Sequence, residues 1–229
     1  MAVELLEARR MCAVTMVQTY PGYYEIYGDE DSNEIIVNVA ADAQSFSVNG
    51  SEGGGGGAYH FWILGFGGND NIRVSGPKGG TVGASISAGD GNDFVFLNFD
   101  GGVWGGTGND FIQLHDSFRG EAYGEDGNDV IYIGGDTIEA EIVGGDGHDW
   151  IDCSGNNYSV TVYGGYGDDV LVGSQYDDQL FGEMGNDQLY GLGGHDYLRD
   201  GEFVRGGDGD DTSVGTPAAG AFGVERIYI

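Results

Sequence analysis

Cysteine and basic residues are scarce in this chain. Its 229 residues include two cysteines, Cys12 and Cys153, and eight lysines and arginines against 38 aspartates and glutamates, which gives a formal charge of −30. Two distant cysteines cannot form a disulfide framework, so we expect two unpaired thiols and a fold stabilised by other means. So acidic a chain is not expected to bind nucleic acid, and it repels itself unless counter-ions are present.

Long apolar runs and enzyme motifs are also missing. No run of about 18 apolar residues occurs, so the sequence predicts no membrane span. We find no H-E-x-x-H zinc motif, no G-x-S-x-G nucleophile motif, no P-loop and no EF-hand loop. The five glycines of residues 53–57 are expected to form a flexible loop, because no Lys-Ser/Thr pair follows them. These absences argue against an enzyme.

Glycine and acidic residues are what the chain has in excess. Glycine accounts for 47 residues, without the three-residue period of collagen. Such a composition is often typical of disorder. Here, however, the aspartates are periodic and alternate with isoleucine, leucine and valine. The pattern therefore favours an ordered repeat.

The repeat is a nine-residue unit. Residues 164–199 read GGYGDDVLV, GSQYDDQLF, GEMGNDQLY and GLGGHDYLR, with aspartate sixth and leucine eighth in every unit. Glycines at the first, second and fourth positions suit a tight turn over the first six residues. The last three residues suit a short strand whose middle side chain points inward. The eighth-position residues are therefore predicted core, namely Ile112, Ile131, Ile151, Leu171, Leu180, Leu189 and Leu198.

Two units would complete one flattened coil, which stacks residues that lie eighteen positions apart. Asp169 would then face Asp187, and Asp178 would face Asp196, at the strand spacing of about 4.8 Å. Carboxylates at that separation repel each other unless a cation lies between them. Ca²⁺ accepts six to eight oxygen ligands in loose geometry and so suits such a position.

This pattern resembles the RTX, or haemolysin-type calcium-binding, family, whose unit is G-G-x-G-x-D-x-U-x with U a large apolar residue. The resemblance implies an all-β fold, a right-handed parallel β-roll or β-helix solenoid, which we expect to carry β-strand caps at both ends. It implies that several Ca²⁺ are held by the aspartate carboxylates and by backbone oxygens of the glycine-rich turns. It also implies bacterial export to the extracellular space or the cell surface.

Further units lie upstream at wider spacing, with Asp70, Asp93, Asp110, Asp129 and Asp149 at the sixth position. We expect these to place sites along one edge of the solenoid up to Gly167, with both edges used only in residues 164–196. The candidate calcium ligands are Asp93, Gly108, Asp110, Gly127, Asp129, Gly145, Gly147, Asp149, Gly165, Gly167, Asp169, Asp178, Gly185, Asp187, Gly194, Asp196 and Asp211.

Four segments are expected along the chain. They are a leader at 1–12, an N-terminal β cap at 13–64, the RTX-like calcium-binding β-roll at 65–214 and a capping strand within 215–229. The cap is predicted to hold strands at 13–17, 23–27, 34–39, 45–48 and 59–64, and the roll to hold strands at 84–88, 103–104, 122–123, 138–143 and 159–163. Residues 28–36 look like a decayed repeat, with Asn33 in the aspartate place and Ile35 inward. The coil is expected to close near Ser213, where an apolar residue is missing.

The sequence therefore favours a monomeric, non-enzymatic calcium-binding module that folds when calcium binds. Two alternatives stay open. One is a β-helix enzyme acting on polysaccharide, with carboxylates such as Asp136, Glu139 and Glu141 as acid and base. The other is an adhesive module whose flat face binds polysaccharide or another cell-surface partner. His148 and His195 occupy the variable fifth position and are expected to be solvated turn residues rather than zinc ligands.

Overall fold

The computed structural model describes residues 14–41, 43–53, 59–77, 82–116, 118–137, 140–215 and 226–228. Within these residues every regular element is a β-strand, and there is no helix. The predicted leader, Cys12, the glycine run after Gly53 and the linker at 216–220 lie outside the described residues. The all-β prediction is confirmed.

Within the described residues, twenty-three strands follow one another. Those of the first part are β1 (Thr15–Tyr20), β2 (Tyr23–Tyr27), β3 (Glu34–Val39), β4 (Phe46–Val48), β5 (Ser51–Gly53), β6 (Tyr59–Leu64), β7 (Asn71–Ser75) and β8 (Val82–Asp90). The middle part holds β9 (Phe94–Leu97), β10 (Gly101–Thr107), β11 (Phe111–Leu114), β12 (Gly120–Asp126), β13 (Val130–Gly135), β14 (Glu141–Asp146), β15 (Trp150–Asn156) and β16 (Thr161–Tyr166). The last part holds β17 (Val170–Val172), β18 (Gln179–Met184), β19 (Gln188–Gly193), β20 (Tyr197–Arg199), β21 (Phe203–Asp208), β22 (Thr212–Val214) and β23 (Arg226–Tyr228).

The strands form two sheets, and from β6 to β22 the chain alternates between them. The first sheet has twelve strands in the order β1-β2-β6-β8-β10-β12-β14-β16-β18-β20-β22-β23. The second has eleven, in the order β21-β19-β17-β15-β13-β11-β9-β7-β3-β4-β5. Neighbouring coils pair in parallel throughout, as between β10 and β12 or β11 and β13. The chain is therefore a parallel β-solenoid in which one coil contains one strand from each sheet.

Antiparallel pairing is confined to the first part of the described chain. Strand β1 pairs with β2, and β4 pairs with both β3 and β5. Strands β2 and β3, in contrast, pair in parallel with β6 and β7 and so form the first coil. The predicted strands at 23–27, 34–39 and 59–64 match β2, β3 and β6. The division into a cap and a roll at residue 65 stays a prediction.

The core is a pair of inward-facing apolar columns. In the eleven-stranded sheet, Ile112, Ile131, Ile151, Leu171 and Leu189 lie side by side in consecutive coils. In the twelve-stranded sheet, Val162, Leu180 and Leu198 do the same. All are fully buried, as the repeat predicts. Near the first coil the core is filled by aromatic rings, with Phe46 4.9 Å from Phe61 and 5.1 Å from Tyr59 between centroids.

Two local predictions were wrong. The strands predicted at 103–104 and 122–123 are seven residues long, because parallel pairing continues through the first three positions of each nonapeptide. The turn proper is therefore much shorter than six residues. Strand β5 was missed. Ser213 is buried and pairs with Leu198 on one side and with Ile227 of β23 on the other, and closure of the coil near Ser213 under a capping strand stays a prediction.

Candidate metal centre

The nonapeptide aspartates form two rows, one at each edge of the solenoid. One set of aspartates ends the turns that lead from the twelve-stranded to the eleven-stranded sheet, and we call this set the long row. Its members are Asp70, Asp93, Asp110, Asp129, Asp149, Asp169 and Asp187. The short row lies at the opposite edge and contains Asp178, Asp196 and Asp211. The prediction of one long edge and one short edge agrees with this placement, and Asp211 extends the short row beyond residue 196.

Each row is held in register by a ladder of hydrogen bonds. In the long row, the backbone N–H of each aspartate from Asp70 to Asp169 donates to Oδ1 of the aspartate in the next coil. The N···O distance is 2.7 Å from Asp70 to Asp93 and 2.9 Å from Asp169 to Asp187. In the short row, Asp178 donates to Asp196 at 2.9 Å, and Asp196 donates to Asp211 at 3.0 Å. The residue pairs predicted from the eighteen-residue period are thus adjacent rungs.

The second carboxylate oxygen of these aspartates is buried without a hydrogen-bond partner. This holds for Oδ2 of every long-row aspartate and of Asp196, and these side chains are at most 3% exposed. Leaving a buried polar group unpaired costs about 1–3 kcal/mol, and more when the group is charged. An unpaired buried carboxylate is stable only if it is protonated or lies against a cation.

The space beside most of the orphan oxygens is lined by a second oxygen. A Cβ added to Gly105, Gly124, Gly144 or Gly164, the first glycines of their units, would lie less than 3.0 Å from two oxygens. One is Oδ2 of the aspartate in the same turn, and the other is the carbonyl oxygen of the corresponding glycine in the next coil. Glycine therefore keeps open an oxygen-lined space between coils. Carboxylate and carbonyl oxygens are the ligands that Ca²⁺ prefers, so the residues present fit this ion.

The fourth-position glycines are required by backbone geometry. Gly127 and Gly147 have φ values of 143° and 150°, which side chains rarely adopt. A Cβ on either would also collide with the carbonyl of the corresponding glycine one coil earlier. The other candidate glycines share the left-handed conformation, namely Gly108, Gly145, Gly165, Gly167, Gly185 and Gly194. Their carbonyls are stacked from coil to coil, and their role as ligands stays a prediction.

Asp178 has a different environment from the rest of the rows. Its Oδ1 accepts the N–H of Val160 at 2.8 Å, and its Oδ2 accepts the N–H of Ser174 at 2.5 Å. The Ser174 hydroxyl lies 3.0 and 3.1 Å from the two oxygens. Both carboxylate oxygens are therefore satisfied by protein. The turn GSQYDDQLF, which departs from the glycine pattern, supplies the serine whose N–H and hydroxyl satisfy the Asp178 Oδ2.

Burial raises the pKa of every row aspartate from Asp70 to Asp196. Desolvation is the largest cause and raises the pKa of Asp93, Asp129 and Asp187 to about 6. It raises the pKa of Asp110, Asp149 and Asp196 to about 7. Hydrogen bonds from backbone N–H groups oppose the rise, and neighbouring carboxylates add to it. Near neutral pH a charged row would therefore be costly unless a cation lay against it.

A second ladder, which the sequence analysis did not recognise, runs along the exposed fifth position. The backbone N–H of Asn109 donates to Oδ1 of Asn92, and that of Asn128 donates to Oδ1 of Asn109, both at 2.7 Å. His148 continues it, because its Nδ1 accepts the N–H of Asp168 at 2.8 Å. His195 accepts the N–H of Asp210 in the same way. The frequent Asn-Asp pair in the repeats was the available signal.

Side chains alone do not surround an ion anywhere in the part of the chain that the structure describes. No group of three carboxylate, imidazole or thiolate side chains converges there. An ion in the rows would therefore take many of its ligands from stacked backbone carbonyls. The expectation that carboxylate and backbone oxygens act together as ligands stays a prediction.

Comparison with known families supports this arrangement. A family model for the RTX calcium-binding nonapeptide repeat matches in four copies over residues 103–116, 121–139 and 163–198. The chain carries RTX repeats. The matched RTX segments contain Asp110, Asp129, Asp169, Asp178, Asp187 and Asp196, whereas Asp93, Asp149 and Asp211 lie outside them and join the same rows in space. No curated protein matches the chain.

Two of the three carboxylates suggested for a polysaccharide-cleaving enzyme are described, and each is exposed and hydrogen-bonded to a different side chain. Asp136 is exposed beyond the end of β13 and accepts a hydrogen bond from Asn157 Nδ2 at 3.0 Å. Glu141 lies on the exposed face of β14, where the Tyr123 hydroxyl donates to it at 3.5 Å. Glu139 lies outside the described residues. Across those residues no helix is long and apolar enough to cross a membrane.

Proposed function

We propose that this chain binds several Ca²⁺ between successive coils and that calcium binding drives its folding. One observation carries the proposal: a row of buried aspartates, each with an oxygen that no protein group satisfies. At neutral pH these oxygens need protons or cations. The RTX repeats supply the chemical class of the ion, and the paired carboxylate and carbonyl oxygens suit it.

Folding and binding are linked in this proposal because the ions are part of the core. From β17 to β21 each strand buries a single apolar residue, and many of the 47 glycines must be ordered at a high entropic cost. A ligand that binds only the folded chain stabilises it by mass action. Without calcium, the charged carboxylates within each row repel one another, and the chain is expected to be largely unfolded at neutral pH.

Such coupling suits a protein that is exported unfolded and folds in extracellular calcium. We therefore propose a secreted or surface-exposed bacterial module with a structural, non-catalytic role. A panel of polysaccharides incubated with the folded chain should yield no new reducing ends. Release of such ends would replace this role with an enzymatic one.

The direct test is far-UV circular dichroism in chelator and during titration with Ca²⁺ to several millimolar. We expect a cooperative gain of β signal, which Mg²⁺ at equal concentration does not reproduce. The Asp169→Asn, Asp187→Asn double variant should bind fewer ions by native mass spectrometry. A chain that is fully folded in chelator at pH 7.5 and binds no calcium would contradict the proposal.

A further inference from the structure

Glu202 occupies the rung that follows Asp187 in the long row. Gln188 pairs with Phe203 in the parallel ladder, so the residues before them, Asp187 and Glu202, are also in register. The Asp187 N–H donates to Oε2 of Glu202 at 2.7 Å, as every earlier long-row aspartate donates to the next carboxylate. The Phe203 N–H donates to the Asp187 carbonyl at 3.0 Å.

The repeat period hides this residue. Glu202 follows Asp187 by fifteen residues, because this coil is three residues shorter than the previous one. Eighteen residues after Asp187 the chain has Arg205, which cannot bind a cation. The RTX family match also ends before Glu202, at residue 198.

The oxygen-lined space of the earlier rungs is present here as well. Asp187 is fully buried and its Oδ2 has no hydrogen-bond partner. A Cβ on Gly182 would lie 2.5 Å from this oxygen and 2.5 Å from the carbonyl oxygen of Asp200. Asp200 is in register with Gly182, because Phe181 pairs with Arg199. Its left-handed φ of 60° places it in the conformation usually left to glycine.

The geometry points to a terminal Ca²⁺ site between Asp187 and Glu202, completed by backbone oxygens that include the Asp200 carbonyl. The site rests on the calcium binding proposed above and extends the long row by one inter-coil position. A glutamate serves here because the shortened coil changes the path of the chain, and the longer side chain still reaches the rung. Two carboxylates and a carbonyl are a suitable ligand set for Ca²⁺.

The other end of the row is neutral, which sets Glu202 apart. Asn33 occupies the first rung, and its N–H donates to Asp70 Oδ1 at 2.6 Å. Its Nδ2 donates to the Asp31 carbonyl and lies 3.3 Å from the Asp29 carbonyl. The amide group thus occupies space among oxygens that a cation would otherwise share. The long row begins with an amide and ends with a carboxylate.

The test counts bound ions in the full chain with Glu202→Gln. The carboxamide still accepts the Asp187 N–H, so the rung is kept while the charge is lost. Native mass spectrometry at saturating Ca²⁺, with calorimetric titration, should show one ion fewer than in the unaltered chain. The matched control is Glu121→Gln, an exposed glutamate on β12 away from both rows, which should leave the count unchanged.

The outcomes separate the two proposals. If the unaltered chain binds no calcium, the proposed function fails. If it binds calcium and Glu202→Gln binds the same number of ions, the terminal site alone is refuted. Should Glu202→Gln not fold, a crystal structure of the unaltered calcium-loaded chain decides. An anomalous peak between Asp187 and Glu202 would support the site. Ions at the other rungs, with none between these two residues, would overturn it.

Discussion

Replacing Asp110 by asparagine should change stability in opposite directions with and without calcium. Burial raises the pKa of Asp110 from 3.8 to about 7. A difference of roughly three pH units corresponds to about 4 kcal/mol between the charged and neutral forms. Above pH 7 in chelator the charged side chain carries this cost, whereas a carboxamide does not. Asp110→Asn should therefore stabilise the metal-free chain by up to about 4 kcal/mol.

The pH dependence gives the sign independently. The pKa of Asp110 is higher in the folded chain than in the unfolded one, so its protonation favours folding. That contribution is fully present below about pH 4 and is lost as the pH rises through about 7. In chelator, the unaltered chain should therefore unfold as the pH is raised from 5 to 8. In Asp110→Asn this transition should move to higher pH.

With calcium the substitution should be destabilising, because a carboxylate ligand is lost. At a Ca²⁺ concentration of about 100 times the dissociation constant, each ion contributes about 2.7 kcal/mol to stability. Losing one ion should lower the free energy of unfolding by that order. Both arms can be followed by circular dichroism with urea denaturation, in chelator and in calcium.

The control is Asp100→Asn, an exposed carboxylate at the opposite edge, which should have little effect in either condition. An unfolding transition in chelator that occurs at the same pH in Asp110→Asn as in the unaltered chain would refute this prediction. It would equally be refuted if the variant were stabilised in calcium as much as in chelator. Either result would mean that neither a proton nor a cation occupies the orphan oxygen.

Three further expectations concern single positions. Asn33→Asp should add one bound ion by native mass spectrometry, and an unchanged count would show that the first rung lacks the remaining ligands. Leu192 has a φ of 77°, so Leu192→Gly should raise the unfolding free energy in calcium by about 1 kcal/mol, with a loss of stability counting against left-handed strain. Gly144→Ala should bind one ion fewer and be less stable, because its Cβ would meet the orphan oxygen of the same turn. Gly155→Ala is the control and should change neither property, because the nearest atom to its Cβ would lie at 3.7 Å. Equal effects of the two alanines would argue against the oxygen-lined space.

Much of the fold could be predicted because one physical rule repeats. The aspartate and the apolar residue two positions later recur at one coil length, so the rows and the core column follow from spacing alone. Ile35 is buried beside Ile72 even though its repeat has decayed, because inward alternation of a strand survives the loss of the turn glycines.

What the sequence did not predict depends on contacts between coils. Glu202 joins the row only because its coil is three residues shorter, which a fixed period cannot anticipate. The Oδ2 of Asp178 accepts a hydrogen bond from the backbone N–H of Ser174, and the repeat pattern does not predict this local contact. At the opposite edge, the Asn156 side chain bonds both the N–H and the carbonyl of Thr137, so an amide clamps two coils where the glycine turn is absent.

The two ladders give the solenoid a polarity. At the sixth position each N–H points to the following coil, as from Asp93 to Asp110, whereas at the fifth position each N–H points to the preceding coil, as from Asn109 to Asn92. Truncating the Asp110 side chain would therefore leave the N–H of Asp93, on the preceding coil, without its acceptor. Truncating Asn92 would leave the N–H of Asn109, on the following coil, without its acceptor. Truncations at the fifth and sixth positions of one turn should thus destabilise neighbouring coils in opposite directions. Residue-resolved hydrogen exchange would record this as amide protection lost on opposite sides of the substituted turn.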